Sequence, residues 1–106
     1  MALVQAARDV RLTDDLREYI VALVAATRTA RDVQLPASPR ASLALMRVSQ
    51  AMSLFEGRDF VLPETIQDVA VDVVAHRLVV EPEAKYSGRD GRQIMEELLQ
   101  EVPVPV

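Results

Sequence analysis

One segment decides the fold of this chain: residues 35–57 have the sequence LPASPRASLALMRVSQAMSLFEG. Ser38 belongs to the residue types that cap helix N-termini, and Pro39 suits the first helical position because its missing N–H needs no partner there. Apolar residues dominate the rest, and Gly57 can adopt the left-handed conformation that ends a helix. The segment therefore predicts a helix from Pro39 to about Glu56. Because this helix is apolar on nearly all sides, we expect it to be central and buried.

Arg40 falls in the first turn of this predicted helix, where a cation opposes the positive end of the helix dipole. Free backbone N–H groups and a guanidinium at one corner both favour an anion, and phosphate is a common one. Arg40 is therefore the candidate binding residue of the chain. Ser38 and Pro39 support it by fixing how the helix begins. The methionines of the same helix, Met46 and Met52, are interpreted as core filler rather than as a binding groove.

Three further helices follow from the spacing of apolar residues and from their caps. They run from Thr13 to about Thr29, from Pro63 to His76 and Arg77, and from a capping box at Asp90 and Gln93 to Val102. Residues 81–86 between the last two are expected to be irregular and exposed. Residues 78–80 have strand-like composition and could pair with residues 10–12 or with residues 33–35.

These elements predict an all-α fold of approximately four helices, a bundle with room for a small β ribbon. The 106 residues suffice for one domain, and half of them are hydrophobic, so a core can form without disulfides. The predicted organisation is a connector at 1–12, a helical domain at 13–102 and a proline-containing tail at 103–106.

Composition and missing motifs exclude several functions for the chain alone. It has no cysteine and one histidine, so no metal site is expected. The net charge of −4 argues against nucleic-acid binding, including by a helix-turn-helix. No phosphate-binding loop and no pairing of a nucleophile with a base is present, so we expect no catalysis in isolation. No apolar run of roughly 20 residues and no signal peptide is visible, which predicts a cytoplasmic protein without membrane insertion.

Four stretches resemble, in their order and spacing, the C-terminal lid domain of MoxR-type AAA+ ATPases. They are Tyr19–Arg28, Ala37–Leu45, Gly57–Val61 and Val74–Leu78. The most specific part is Ser-Pro-Arg-Ala followed at a similar distance by Gly-Arg-Asp. The resemblance covers nearly the whole chain. It departs from the family at Leu62, where a threonine or a similar cap often precedes the proline.

This resemblance implies a helical lid packed on an αβα nucleotide-binding core of the same polypeptide. Arg40 matches the sensor 2 arginine of that family, which implies a contact to the γ-phosphate of ATP and a coupling of nucleotide state to the lid angle. ATP and Mg would belong to the intact parent protein, with none expected for this chain alone. The resemblance also implies chaperone-like rings of neighbouring subunits, often hexamers, that act on partners with von Willebrand factor A-type domains.

A second interpretation is a free-standing acidic helical adaptor that binds a partner protein through a helix face. The missing catalytic motifs and the acidic charge support it, but it leaves Arg40 at a helix start unexplained. The two hypotheses differ in whether nucleotide hydrolysis by a parent protein depends on Arg40.

Overall fold

The structure is a computed structural model that describes residues 6–105. Four longer helices, one short helix and two short strands follow in chain order. They are α1 (Asp14–Ala26), β1 (Val33–Leu35), α2 (Arg40–Phe55), α3 (Pro63–Ala75), β2 (Val79–Val80), α4 (Pro82–Tyr86) and α5 (Gly91–Glu101). This confirms the all-α bundle with a small β ribbon. No helix within residues 6–105 has the length and apolar composition that crossing a bilayer requires.

Helix α3 is the centre of the bundle, because α1, α2 and α5 all pack against it. The apolar stripe predicted for each long helix supplies the interior. The largest apolar side chains that are fully buried in this core are Ile20, Leu23, Leu45, Ile66, Val74, Ile94 and Met95. The core also includes Val10 and Leu12, which lie within the predicted connector.

The strand-like residues 78–80 pair with residues 33–35, one of the two alternatives that the sequence left open. β1 and β2 form an antiparallel ribbon in which Val33 faces Val80 and Leu35 faces Val79. The other alternative is wrong, because residues 10–12 meet a different segment. The Arg11 N–H donates to the Asp59 carbonyl at 2.8 Å, and the Arg11 carbonyl accepts from the Val61 N–H at 2.9 Å.

The expectation that the second predicted helix is buried all round is wrong for this chain. The side of α2 that faces the core consists mainly of small or polar residues: Ala41, Leu45, Ser49, Gln50 and Ser53. Its large apolar residues Leu43, Val48, Met52 and Phe55 are exposed. Met52 is therefore not core filler, whereas Met46 is partly buried against the core. Small inward residues let α2 lie close to α3, which leaves the bulky residues outside.

Helix α2 ends as the sequence predicts. Gly57 has a positive φ of 80°, and its N–H donates to the Leu54 carbonyl at 3.0 Å. The next N–H, of Arg58, reaches back to the Ser53 carbonyl at 2.9 Å. These two bonds form the Schellman motif, which satisfies carbonyls that the helix itself leaves free.

Residues 81–86 differ from the expected irregular segment, because Pro82–Tyr86 form the one-turn helix α4. Proline at its first position fits a helix start. The segment is largely exposed, as expected. The capping box of α5 is confirmed: Asp90 Oδ1 accepts from the Gln93 N–H at 2.9 Å, and Gln93 Oε1 accepts from the Asp90 N–H at 3.2 Å.

Arg89 ties the ribbon to α5. Its guanidinium pairs with Asp32 at 2.6 Å and forms two hydrogen bonds to Glu97, at 2.7 and 2.8 Å. Asp32 has a positive φ of 70°, and its carbonyl accepts from the Glu81 N–H at 2.8 Å. Hydrogen bonding to Arg89 lowers the pKa of the Glu97 carboxyl. The network thus holds to α5 the end of the ribbon where β1 begins and β2 ends.

The lowered pKa of Glu97 predicts a stability effect of defined sign. A carboxyl whose pKa is lower in the folded than in the unfolded state stabilises the fold at pH values above its pKa in the unfolded state, about 4.3. This stabilisation is lost as the pH falls through its pKa in the folded state. We expect Glu97→Gln to reduce the free energy of unfolding at neutral pH, with the difference from wild type shrinking in acid. Urea titrations at several pH values measure it. Glu96→Gln is the control, and a pH-independent difference would contradict the assignment.

Gly91 marks a close approach of α5 to α3. A Cβ at this position would lie 2.6 Å from the Ala75 carbonyl oxygen, which as backbone cannot move aside. Alanine in a helix is normally favoured over glycine by about 0.5–1 kcal/mol. Here we expect Gly91→Ala instead to lower the free energy of unfolding by about 1–3 kcal/mol through overpacking. Chemical denaturation measures this, with Gln100→Ala on the exposed side of α5 as control. A more stable Gly91→Ala variant would show that the helices separate easily.

Candidate functional site

Arg40 is the first residue of α2, and the turn before it differs in one respect from the prediction. Pro39 has helical angles, φ −55° and ψ −23°, but the structure shows no side-chain hydrogen bond capping this helix. The predicted hydroxyl cap from Ser38 is therefore wrong. Instead the Ser38 carbonyl accepts from the Ala41 N–H at 2.9 Å and the Pro39 carbonyl from the Ser42 N–H at 3.1 Å. The first turn is closed by main-chain carbonyls.

The start of α2 carries no negative charge. The first turns of α1 and α3 have Asp14, Asp15 and Glu64, and α5 is capped by Asp90, but α2 has no acidic residue in its first turn. Arg40 is exposed, and within residues 6–105 its guanidinium forms no hydrogen bond or ion pair. The positive end of the α2 dipole and the charge of Arg40 thus both raise the positive potential at this corner, and no internal carboxylate among the described residues offsets it. This favours the binding of an external anion.

Thr27 fixes where this corner lies. It is fully buried at the end of α1, and its hydroxyl donates to the Val24 carbonyl at 2.6 Å. The same oxygen accepts from the Ala37 N–H at 3.2 Å, three residues before Arg40. Ala37 is itself buried, so this contact anchors the turn to α1. α1 ends at Ala26, three residues before the predicted end.

From the sequence, Thr27 was assigned no role beyond its place in the first predicted helix. The signal was present. A hydroxyl on the buried face of a helix requires a hydrogen-bond partner, and a nearby loop is the natural source of one.

An apolar hollow of about 390 Å³ lies between α1 and α2, next to the Arg40 turn. Its lining includes Val21, Leu43 and the adjacent Pro39. On its wall Arg17 donates to the sulfur of Met46 at 3.6 Å, a weak contact that leaves most of the guanidinium free. The corner therefore combines free cationic groups with apolar surface.

The remaining polar residues do not assemble a second centre. His76 is exposed at the end of α3, and Glu81 and Glu83 are exposed around α4. No cluster of three or more potential metal ligands occurs in the part of the chain that the structure describes. Arg40 and its turn remain the candidate site.

Comparison with known proteins gives a consistent set of relatives. The family described as the AAA lid domain matches residues 25–98. An uncharacterized protein, YeaC, of Bacillus subtilis is 43% identical over 99 residues, and the chaperone MoxR1 of Mycobacterium tuberculosis is 33% identical over 99 residues. These matches cover 93% and 85% of this chain. The crystal structure of a provisionally named ATPase from Cytophaga hutchinsonii matches with a TM-score of 0.90 and 36% identity over 96% of this chain.

The chain spans only a part of each relative. It corresponds to 31% of the Bacillus protein, 26% of the Mycobacterium chaperone and 34% of the Cytophaga chain. Most of each relative therefore lies outside the matched region.

The anchoring role of Thr27 leads to a stability prediction. Thr27→Val keeps the shape of the side chain but leaves the buried Ala37 N–H without an acceptor, so we expect it to reduce the free energy of unfolding by about 1–3 kcal/mol. Thr27→Ser keeps the hydroxyl and is the matched control, with a loss of about 0.8 kcal/mol for the missing methyl. Denaturant unfolding followed by circular dichroism compares them. If Thr27→Val were as stable as wild type, the proposed anchoring role of Thr27 would be contradicted.

Proposed function

Since this chain belongs to the AAA lid domain family and is the lid of a MoxR-type AAA+ ATPase, we propose that it contributes to ATP hydrolysis by a longer polypeptide. The nucleotide-binding core of that polypeptide would hold ATP and Mg. The lid would supply one cation to the bound phosphates. The observation that carries this proposal is the free, exposed guanidinium of Arg40 at an uncompensated helix start.

In this proposal Arg40 acts as the sensor 2 residue. Charge develops on the oxygens of the γ-phosphate during transfer, and a positioned guanidinium stabilises it. Arg40 suits the task because no internal carboxylate competes for it among the described residues. The turn that carries it is anchored to the end of α1 through Thr27, which reduces the reorganisation needed to reach a phosphate.

The same contact would couple nucleotide state to the position of the lid. An arginine that binds the γ-phosphate contacts ATP but loses that contact once the phosphate has been cleaved. The position of the lid that this contact stabilises is therefore favoured only before hydrolysis. The other proposed partners are the core of the same polypeptide and neighbouring subunits of a ring, for which we propose a hexamer. Clients with von Willebrand factor A-type domains complete the proposed context.

The adaptor hypothesis interprets the exposed side of α2 as a surface that binds a partner protein. Phe55 on α2 is 91% exposed, which would suit a partner protein. An adaptor, however, has no use for the unpaired cation at the start of α2. Family membership and Arg40 together favour the ATPase lid.

Replacing Arg40 tests the proposal in the full-length parent protein. We expect Arg40→Ala to lower kcat for ATP hydrolysis by about 10²–10³, the scale for removing a preorganised charge contact. Arg40→Lys should restore only part of it, because an ammonium cannot bind two oxygens in the fork geometry of a guanidinium. Steady-state hydrolysis assays measure both variants, and circular dichroism checks that they fold.

Arg28→Ala is the matched control, since Arg28 is exposed and unpaired within the described region but lies at the end of α1. It should hydrolyse ATP at the wild-type rate. Unchanged hydrolysis in folded Arg40→Ala would exclude the proposed role.

A further inference from the structure

A second hollow, of about 560 Å³, lies along the C-terminal half of α2. On one side it is bounded by residues 7 and 8, which belong to a short helical segment before the core residue Val10. On the other side it is lined by α2 residues, among them Arg47, Gln50, Ala51 and Phe55. The hollow is thus formed where the incoming polypeptide meets α2.

Phe55 forms an exposed apolar wall of this hollow, with 91% of its surface accessible. An aromatic side chain left in water while the same helix turns mostly small or polar residues to the core indicates a surface that another body covers. Ala51, one turn earlier, is also exposed and leaves room for an inserted side chain. The hollow therefore fits an apolar side chain of a partner.

Gln50 contributes a polar group to the same hollow. It is 5% exposed, and its Nε2 donates to the Val10 carbonyl at 3.0 Å, which holds the incoming segment against α2. Its Oε1 is buried and has no hydrogen-bond partner within residues 6–105. Gln50 therefore serves mainly to fix the wall of the hollow that faces Val10.

The charges at this hollow are all positive. Arg8 and Arg47 are exposed and form no ion pair with any described residue. In contrast, Arg58, Arg89 and Arg92 pair with carboxylates of this acidic chain. Two free guanidiniums beside an apolar surface complement a partner that presents carboxylates next to an apolar side chain.

Arg47 also shares a face of α2 with Arg40. Seven residues correspond to nearly two helical turns, so the two side chains project within about 20° of each other and about 10 Å apart along the axis. A body that offers a phosphate to Arg40 is therefore positioned to cover Arg47 as well. The hollow and the candidate nucleotide contact belong to one continuous surface.

We propose that this hollow is the docking site for an acidic segment, carrying an apolar side chain, of the nucleotide-binding core of the same polypeptide. The inference rests on the proposed function, which supplies that core. The same polypeptide is favoured because residues 7 and 8 line the hollow, which places the N-terminal end of the described residues at its rim. A domain tethered there has a high effective concentration at the site.

Site-specific photocrosslinking of the full-length protein tests this docking. A benzoyl-phenylalanine replaces Phe55 in one variant and Tyr86 in the control, which is also aromatic and 96% exposed but lies on α4. Mixing ¹⁵N-labelled and unlabelled subunits before irradiation distinguishes crosslinks within a polypeptide from those between polypeptides. Mass spectrometry then identifies the captured peptide.

We expect the Phe55 position to capture a core peptide containing Asp or Glu, within one polypeptide, at least fivefold more often than the Tyr86 position. Arg47→Glu should reduce that yield about fivefold, whereas Arg28→Glu should not. Crosslinks only between polypeptides, or to a second lid, would overturn the proposal, as would a Phe55 yield no higher than that at Tyr86. An intact Phe55 crosslink together with unchanged hydrolysis in Arg40→Ala would support the docking site and exclude only the sensor role.

Discussion

The buried hydroxyl of Thr27 is the contact on which the arrangement of the functional surface depends. It bonds to the Val24 carbonyl at the end of α1, and it holds the turn before α2 through the Ala37 N–H. Because both bonds are buried, water cannot replace either of them without opening the core. The direction in which α2 leaves α1 is fixed by this contact.

Once α2 has that direction, its residues divide between two surfaces. Small and polar side chains face the core, and this allows the close packing of α2 on the central helix α3. The outer side then carries the free arginines Arg40 and Arg47 together with Phe55. The core and the proposed functional surface thus lie on opposite sides of one helix.

Two groups of arginines can be distinguished within residues 6–105, those paired with carboxylates and those left unpaired on α2. The pairing of Arg89 with Asp32 and Glu97 ties the ribbon to α5, where charge serves the fold. At α2 the cations have no internal partners within the described residues, so their charge is available to an external anion. The proposed response of the lid to nucleotide would use this combination, because a rigid body can transmit a local contact over its whole length.

The amino-acid sequence by itself determined the four long helices, the Gly57 helix end, the α5 capping box and Arg40 as the first-turn cation. These features depend on residues a few positions apart, so local rules are enough to predict them. Tertiary structure alone selected residues 33–35 as the partner of β2, gave Thr27 its role and turned the bulky residues of α2 outward. Each of these outcomes depends on contacts between distant segments. An apolar helix also has the same sequence pattern whether its own domain or another protein covers it, which is why the exposure of Phe55 could not be predicted.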